Sequence, residues 1–237
     1  MKILVLESSG LVASVAVVTE EKLIGEYTTN FKKTHSQTLL PMMDTLLKMI
    51  GIPVQEMDAI AVSGGPGSFT GLRIGSATAK GLGLALSIPI ISVPTVDAIA
   101  YNLCGTDAVV CPLMDARRNQ TYTGLYTFDG DQMKCISGQK AVMLGEIIDE
   151  INQLGRKVIF LGDGVPVFKP YIEEQIQVPH SYAPIHLSQQ RAGALGALAL
   201  QYYHEGKYES AAEHQPDYLR LSQAERELAA KKGQEKA

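Results

Sequence analysis

The sequence predicts an α/β chain of two lobes, each a mixed β-sheet with helices, on three observations. Its 237 residues exceed one small domain but fit a single two-lobed unit. Strand-like and helix-like periodicities alternate along the chain instead of segregating. The order of elements in the first half recurs in the second, without obvious residue-level identity, so the duplication is one of architecture.

Residues 2–7, Lys-Ile-Leu-Val-Leu-Glu, read as a buried strand. After a Ser-Ser-Gly turn, the alternation from Leu11 to Val18 predicts a second strand, and Lys22 to Asn30 a third. A helix follows at about 37–50, a strand at 58–63, a helix at about 70–86, a short strand at 89–92 and a helix from Thr95 to Leu103. The second half repeats this with strands at 107–115, 120–128 and 132–140, a helix at 143–154 and a strand at 157–161. Helical material at 166–176 and 188–205 completes it. The expected division is an N-terminal lobe 1–104, a C-terminal lobe 105–215 and a tail helix 216–237, charged and alanine-rich from Ser222.

Composition excludes several classes. Apolar residues at 46% and charged residues at 19% are incompatible with a disordered or collagen-like chain. A net charge of -4, no tryptophan and only 6% aromatics argue against a protein that grips nucleic acid alone. The three cysteines, Cys104, Cys111 and Cys135, have no CxxC spacing, so reduced thiols and a cytoplasmic location are expected. Glu7 falls too early for a signal-peptide core. The longest apolar run, Gly81 to Val96, is broken by Ser87, Pro89, Ser92 and Pro94, so no membrane span is expected.

Catalytic signatures are scarce. The five histidines are scattered without an HExxH pattern. The run from Ser63 to Gly71 lacks the lysine of a phosphate-binding P-loop, the dinucleotide fingerprint and the GxSxG elbow. It reads as a tight turn in which Ser68 or Thr70 caps the next helix. Asp115-Ala116-Arg117-Arg118 enters a strand hairpin, and its arginines suit either a phosphate or partner carboxylate, or simply a charged turn. Leu161-Gly162-Asp163-Gly164 is either a nucleotide-facing turn or an ordinary Gly-Asp-Gly turn.

Two helices have unusual faces. On a wheel of about 100° per residue, Leu39, Leu40, Met42, Met43, Leu46, Leu47, Met49 and Ile50 fill an arc of about 180°, wider than one core needs. Met42 and Met49 sit on one flank of that surplus, and methionine suits an adaptable partner surface. In the next helix Gly71, Gly75, Ala79 and Gly83 form a ridge spaced by four. Helical glycine costs about 1 kcal/mol relative to alanine, so another backbone, from this chain or a second subunit, is expected against it. The interface expectation comprises Leu39, Met42, Met43, Leu46, Met49, Gly71, Arg73, Gly75, Ala79 and Gly83.

Together Ile3-Leu4-Val5-Leu6-Glu7-Ser8-Ser9, His35-Ser36 with Leu39-Leu40-Pro41, the run Gly65 to Gly75 (GPGSFTGLRIG), Lys80-Gly81 and Asp115 to Arg118 resemble the TsaB (YeaZ) family. Leu161 to Gly164 and Pro216-Asp217-Tyr218-Leu219-Arg220 fit late family positions. The resemblance implies an actin/Hsp70/sugar-kinase fold. It also implies a non-catalytic role in making threonylcarbamoyladenosine beside the tRNA anticodon. The implied partners are a second copy of the chain, a TsaD-like paralogue that holds the metal and performs the transfer, and a TsaE-like ATPase. tRNA is expected only through that complex, and no membrane is expected.

No catalytic residue, metal or tightly bound cofactor is expected of the chain itself, although ATP or ADP could sit at the subunit junction. TsaD-like proteins carry a histidine pair where this chain has only His35. The fold's first phosphate turn normally has aspartate, whereas Glu7-Ser8-Ser9-Gly10 stands here, leaving Glu7, Ser9 and Asp163 as the nucleotide-site candidates. The alternatives are a stand-alone nucleotide-dependent phosphotransferase using Glu7 and Asp163, and a metallopeptidase, which the missing metal pair disfavours.

Overall fold

The computed structural model describes residues 1–31 and 34–219. Two five-stranded sheets carry the same topology. In the first, β1 (Lys2–Glu7) lies between β2 (Ala13–Thr19) and β4 (Ala59–Gly65), with β3 (Leu23–Thr29) and β5 (Ile90–Pro94) at the edges. Strands β1, β2 and β3 pair antiparallel, while β1, β4 and β5 pair parallel. The second sheet repeats this arrangement around β6 (Val109–Asp115), with β7 (Gln120–Asp129), β8 (Gln132–Met143), β9 (Val158–Leu161) and β10 (His180–Tyr182). Its pairings also switch from antiparallel to parallel across the central strand. The expected duplication is therefore a repeat of the same strand order.

Burial explains why β1 reads as an uninterrupted apolar run. Leu4 and Leu6 face one layer of helices, α1 (His35–Ile50) and α2 (Phe69–Leu86), together with Val15, Val17, Ile60 and Val62. Ile3 and Val5 face the opposite layer, formed by α6 (Ala192–His204) through Ala192, Leu195, Leu198 and Ala199. Both faces are covered, so every position from Ile3 to Leu6 is withdrawn from water, each large side chain contributing about 1.5–3 kcal/mol. Helices α4 (Leu144–Leu154) and α5 (Val165–Gln175) cover one face of the second sheet. The other face takes α3 (Thr95–Ala100), whose Val96 and Ile99 pack with Val110, Met114 and Tyr126.

The sequence-based division needs correcting in three places. The expected lobe 105–215 is too long, because α6 leaves the second sheet and packs on the first. Glu209 likewise bridges to Ile90, and the Asp217 N–H donates to the Gly64 carbonyl. Strand β10 was not expected; its three polar-edged residues lack an apolar signature, and backbone pairing to β9 alone defines it. Of the expected tail helix, residues 216–219 are not helical, and 220–237 lie outside the described residues.

Candidate functional site

Two regions merit a functional reading: the β1–β2 turn and the outer face of α1 and α2. The turn begins where β1 ends. Glu7 is completely buried, and its Oε1 accepts from both the Ser9 backbone N–H and the Ser9 hydroxyl, each at 2.6 Å. The Ser9 carbonyl accepts from Ser68 N–H at 2.7 Å, and the Ser8 hydroxyl donates to the Gly71 carbonyl at 2.9 Å. Ser68 accepts from Gly71 N–H at 3.3 Å, so it caps α2 as the sequence predicts. His35, half-buried at the start of α1, donates from Nε2 to the Gly10 carbonyl at 2.8 Å.

Burial raises the Glu7 carboxyl from 4.5 to about 7; the Ser9 and Ser63 hydrogen bonds oppose it without prevailing. Asp163 adds a smaller repulsion. Asp163 itself is raised to about 6, chiefly by burial, with the Asp115 carboxylate adding to it, and its Oδ1 is buried without a hydrogen-bond partner. The fold implies nucleotide phosphates at this turn, and the residues do not fit them. The Ser9 N–H and hydroxyl that would face a phosphate are already held by a carboxylate, with Asp163 and Asp115 beyond. The candidates Glu7, Ser9 and Asp163 thus lie near one another, but as an acidic cluster in which Glu7 already takes the Ser9 donors. No group of three metal-ligating side chains occurs among the described residues.

The helix faces depart from expectation in an instructive way. Leu39, Met42, Met43, Leu46 and Ala79 are buried in the core against the first sheet, so they cannot meet a partner. The ridge of Gly71, Gly75, Ala79 and Gly83 also faces inward. A Cβ at Gly71 would strike the Ser8 carbonyl, one at Gly75 the Ser8 hydroxyl, and one at Gly83 would lie 2.8 Å from the Ala211 Cβ. The neighbour that Gly71 and Gly75 admit is the chain's own β1–β2 turn, and Gly83 admits the segment at Ala211. Gly75→Leu is accordingly expected to destabilise the monomer by about 3 kcal/mol or more, through overpacking, read as a fall in urea midpoint. A midpoint at or above that of the parent would contradict this packing.

What remains outward is different. Met49 is 81% exposed, Leu40 49% and Leu84 59%. Arg73 is exposed, its guanidinium 4.0 Å from the Phe69 ring centroid. Ala77, Gly81 and Ala85, again spaced by four, are all exposed along α2. A Cβ at Gly81 would meet nothing within 4 Å, so no packing inside the subunit accounts for this helical glycine. Of the expected interface residues, Met49 and Arg73 face outward. The sequence carried the signal for the outward ridge, but at the same four-residue spacing as the inward one.

Arg117, Arg118 and Asn119 form the β6–β7 turn with φ of 64°, 56° and 57°. Left-handed backbone costs a non-glycine residue about 1–2 kcal/mol, so this turn is strained.

Against known proteins, the family model described as "TsaD: tRNA N6-adenosine threonylcarbamoyltransferase" matches residues 22–228. The Bacillus subtilis (strain 168) "tRNA threonylcarbamoyladenosine biosynthesis protein TsaB" is 34% identical over 228 residues, 95% of this chain and 96% of that protein. The chain belongs to the TsaB (YeaZ) family. A TsaB protein of Escherichia coli (strain K12), bearing the same description, is 28% identical over 98% of this chain and 100% of its own length. The solved structure of YeaZ from Pseudomonas aeruginosa superposes with a TM-score of 0.75 at 27% identity, covering 92% of this chain and 99% of that one. The matching family model bears the transferase's name, whereas the relatives matched nearly end to end are TsaB proteins. No helix among the described residues is long and apolar enough to cross a membrane.

Proposed function

We propose that this chain is a non-catalytic, cytoplasmic subunit in the threonylcarbamoyl modification of tRNA adenosine. It acts by pairing with a TsaD-type transferase, and a TsaE-type ATPase joins the assembly. Alone, the chain pairs with a second copy through the same surface, as a two-fold contact. tRNA is met only through the assembly, and any ATP or ADP sits at the subunit junction, where the partner supplies the donors that Glu7 occupies here. The TsaB names of its relatives and the acidic chemistry of the β1–β2 turn both support this reading.

The observation that carries it is the open position at Gly81 between Ala77 and Ala85, flanked by exposed Leu84. A helix that keeps a costly glycine facing solvent is suited to close approach by another helix. The test mixes the chain with a TsaD-type paralogue and follows association by sedimentation. Association is expected, together with negligible ATP turnover by the pure chain in the presence of divalent metal. Robust turnover without a partner would replace this reading with the stand-alone phosphotransferase.

A further inference from the structure

We propose that the β6–β7 hairpin tip is an RNA phosphodiester contact, with Arg117 and Arg118 holding the backbone of the tRNA when the complex is assembled. The inference rests on the function proposed above and adds a binding site to it. The tip is closed by hydrogen bonds of its own. Asp115 Oδ1 accepts from Arg117 N–H at 2.7 Å, and Ala116 N–H donates to the Gln120 carbonyl at 3.0 Å. Gln120 N–H donates to the Arg117 carbonyl at 3.2 Å, and Leu144 N–H to the Asn119 carbonyl at 3.1 Å.

These bonds hold three consecutive non-glycine residues in left-handed backbone, a strained conformation of the kind that gathers at binding sites. Its product is a pair of exposed guanidiniums with no hydrogen bond or ion pair among the described residues. Elsewhere the exposed or half-exposed lysines Lys48, Lys134, Lys140 and Lys207 each pair with a carboxylate of the chain. The Asp115 carboxylate, the nearest candidate partner, is turned to the backbone instead.

A guanidinium is a planar fork of donors matched to phosphate oxygens, and the preformed turn spares much of the ordering cost of binding. Two such forks on a chain of net charge -4 are too few to hold RNA alone, so the contact operates within the assembly. RNA is favoured over an acidic protein surface because the relatives' named product is a modified tRNA.

The experiment measures tRNA binding across a salt series for the chain assembled with the TsaD-type paralogue. It compares the parent with Arg117→Ala/Arg118→Ala and Arg117→Lys/Arg118→Lys, and sedimentation records assembly separately. The alanine pair is expected to assemble normally, to bind tRNA about tenfold more weakly, and to lower the slope of log affinity against log salt by about 1.5. The lysine pair should restore the slope but not the full affinity. Unchanged tRNA affinity and slope in an assembled alanine variant would overturn the proposal. Loss of assembly instead would assign the arginines to a partner's carboxylates and also overturn it. If the parent chain itself fails to associate, the proposed function falls, and this inference with it.

Discussion

Glu7→Gln is expected to stabilise the folded chain by about 3 kcal/mol at pH 8 and by less than about 1 kcal/mol at pH 5. The carboxyl lies in the first sheet's interior with no cation beside it among the described residues, so burial disfavours its charged form. Its folded value of about 7 stands above the ordinary 4.5. At about 1.36 kcal/mol per pH unit, that difference corresponds to about 3 kcal/mol. The sign follows from which state holds the proton. Below pH 4.5 the group is neutral in folded and unfolded chains alike, and the fold keeps its full stability. As pH rises towards 7 the unfolded chain releases the proton first, so stability is lost across that window. Asp163, raised to about 6, contributes in the same direction.

Glutamine removes the ionisation while keeping an oxygen for the Ser9 N–H and hydroxyl and offering an amide to Ser63. Urea midpoints at pH 5 and pH 8 make the comparison, and at pH 8 the melting temperature should rise by about 5–10 °C. A variant less stable than the parent at pH 8 would mean that the hydrogen bonds, and not burial, govern this carboxylate.

Gly81→Leu separates folding from association even more sharply. A Cβ at this position meets open space, and leucine is a better helix former, so the monomer should gain up to about 0.8 kcal/mol. The same side chain would stand between two helix backbones wherever α2 meets a partner, and association should weaken at least a hundredfold, about 2.7 kcal/mol. Met49→Glu probes α1 in parallel, because its side chain is already in solvent and the fold should tolerate the charge. Sedimentation of each variant, alone and with the TsaD-type paralogue, reads both contacts. On the proposed reading that one face serves both contacts, homodimer and heterodimer should be lost together. Folded variants that form either dimer with parental affinity would move that contact to another surface.

Much of this molecule was legible from its residues. Strand and helix periodicities are local, so β1 to β9 and the principal helices lie close to where the patterns predict, and the duplicated order followed from them. The run GPGSFTGLRIG was specific enough to indicate the family, and Ser68 capped its helix as its chemistry suggested.

What the chain order could not convey is which side of an element meets which neighbour. Two four-residue ridges run along α2, and periodicity makes them equivalent; only the approach of Ser8 turns Gly71 and Gly75 inward and leaves Gly81 outside. The wide apolar arc of α1 signalled an excess of hydrophobic surface, yet Met42 is consumed by the first sheet while Met49 is not. Helix α6 lies late in the sequence but packs on the first sheet, because apolar burial rewards proximity in space regardless of position in the chain. The Glu7 proton affinity has the same origin: a carboxylate's charge is tolerated or rejected by the water it loses, and that loss exists only once the sheet has closed around it.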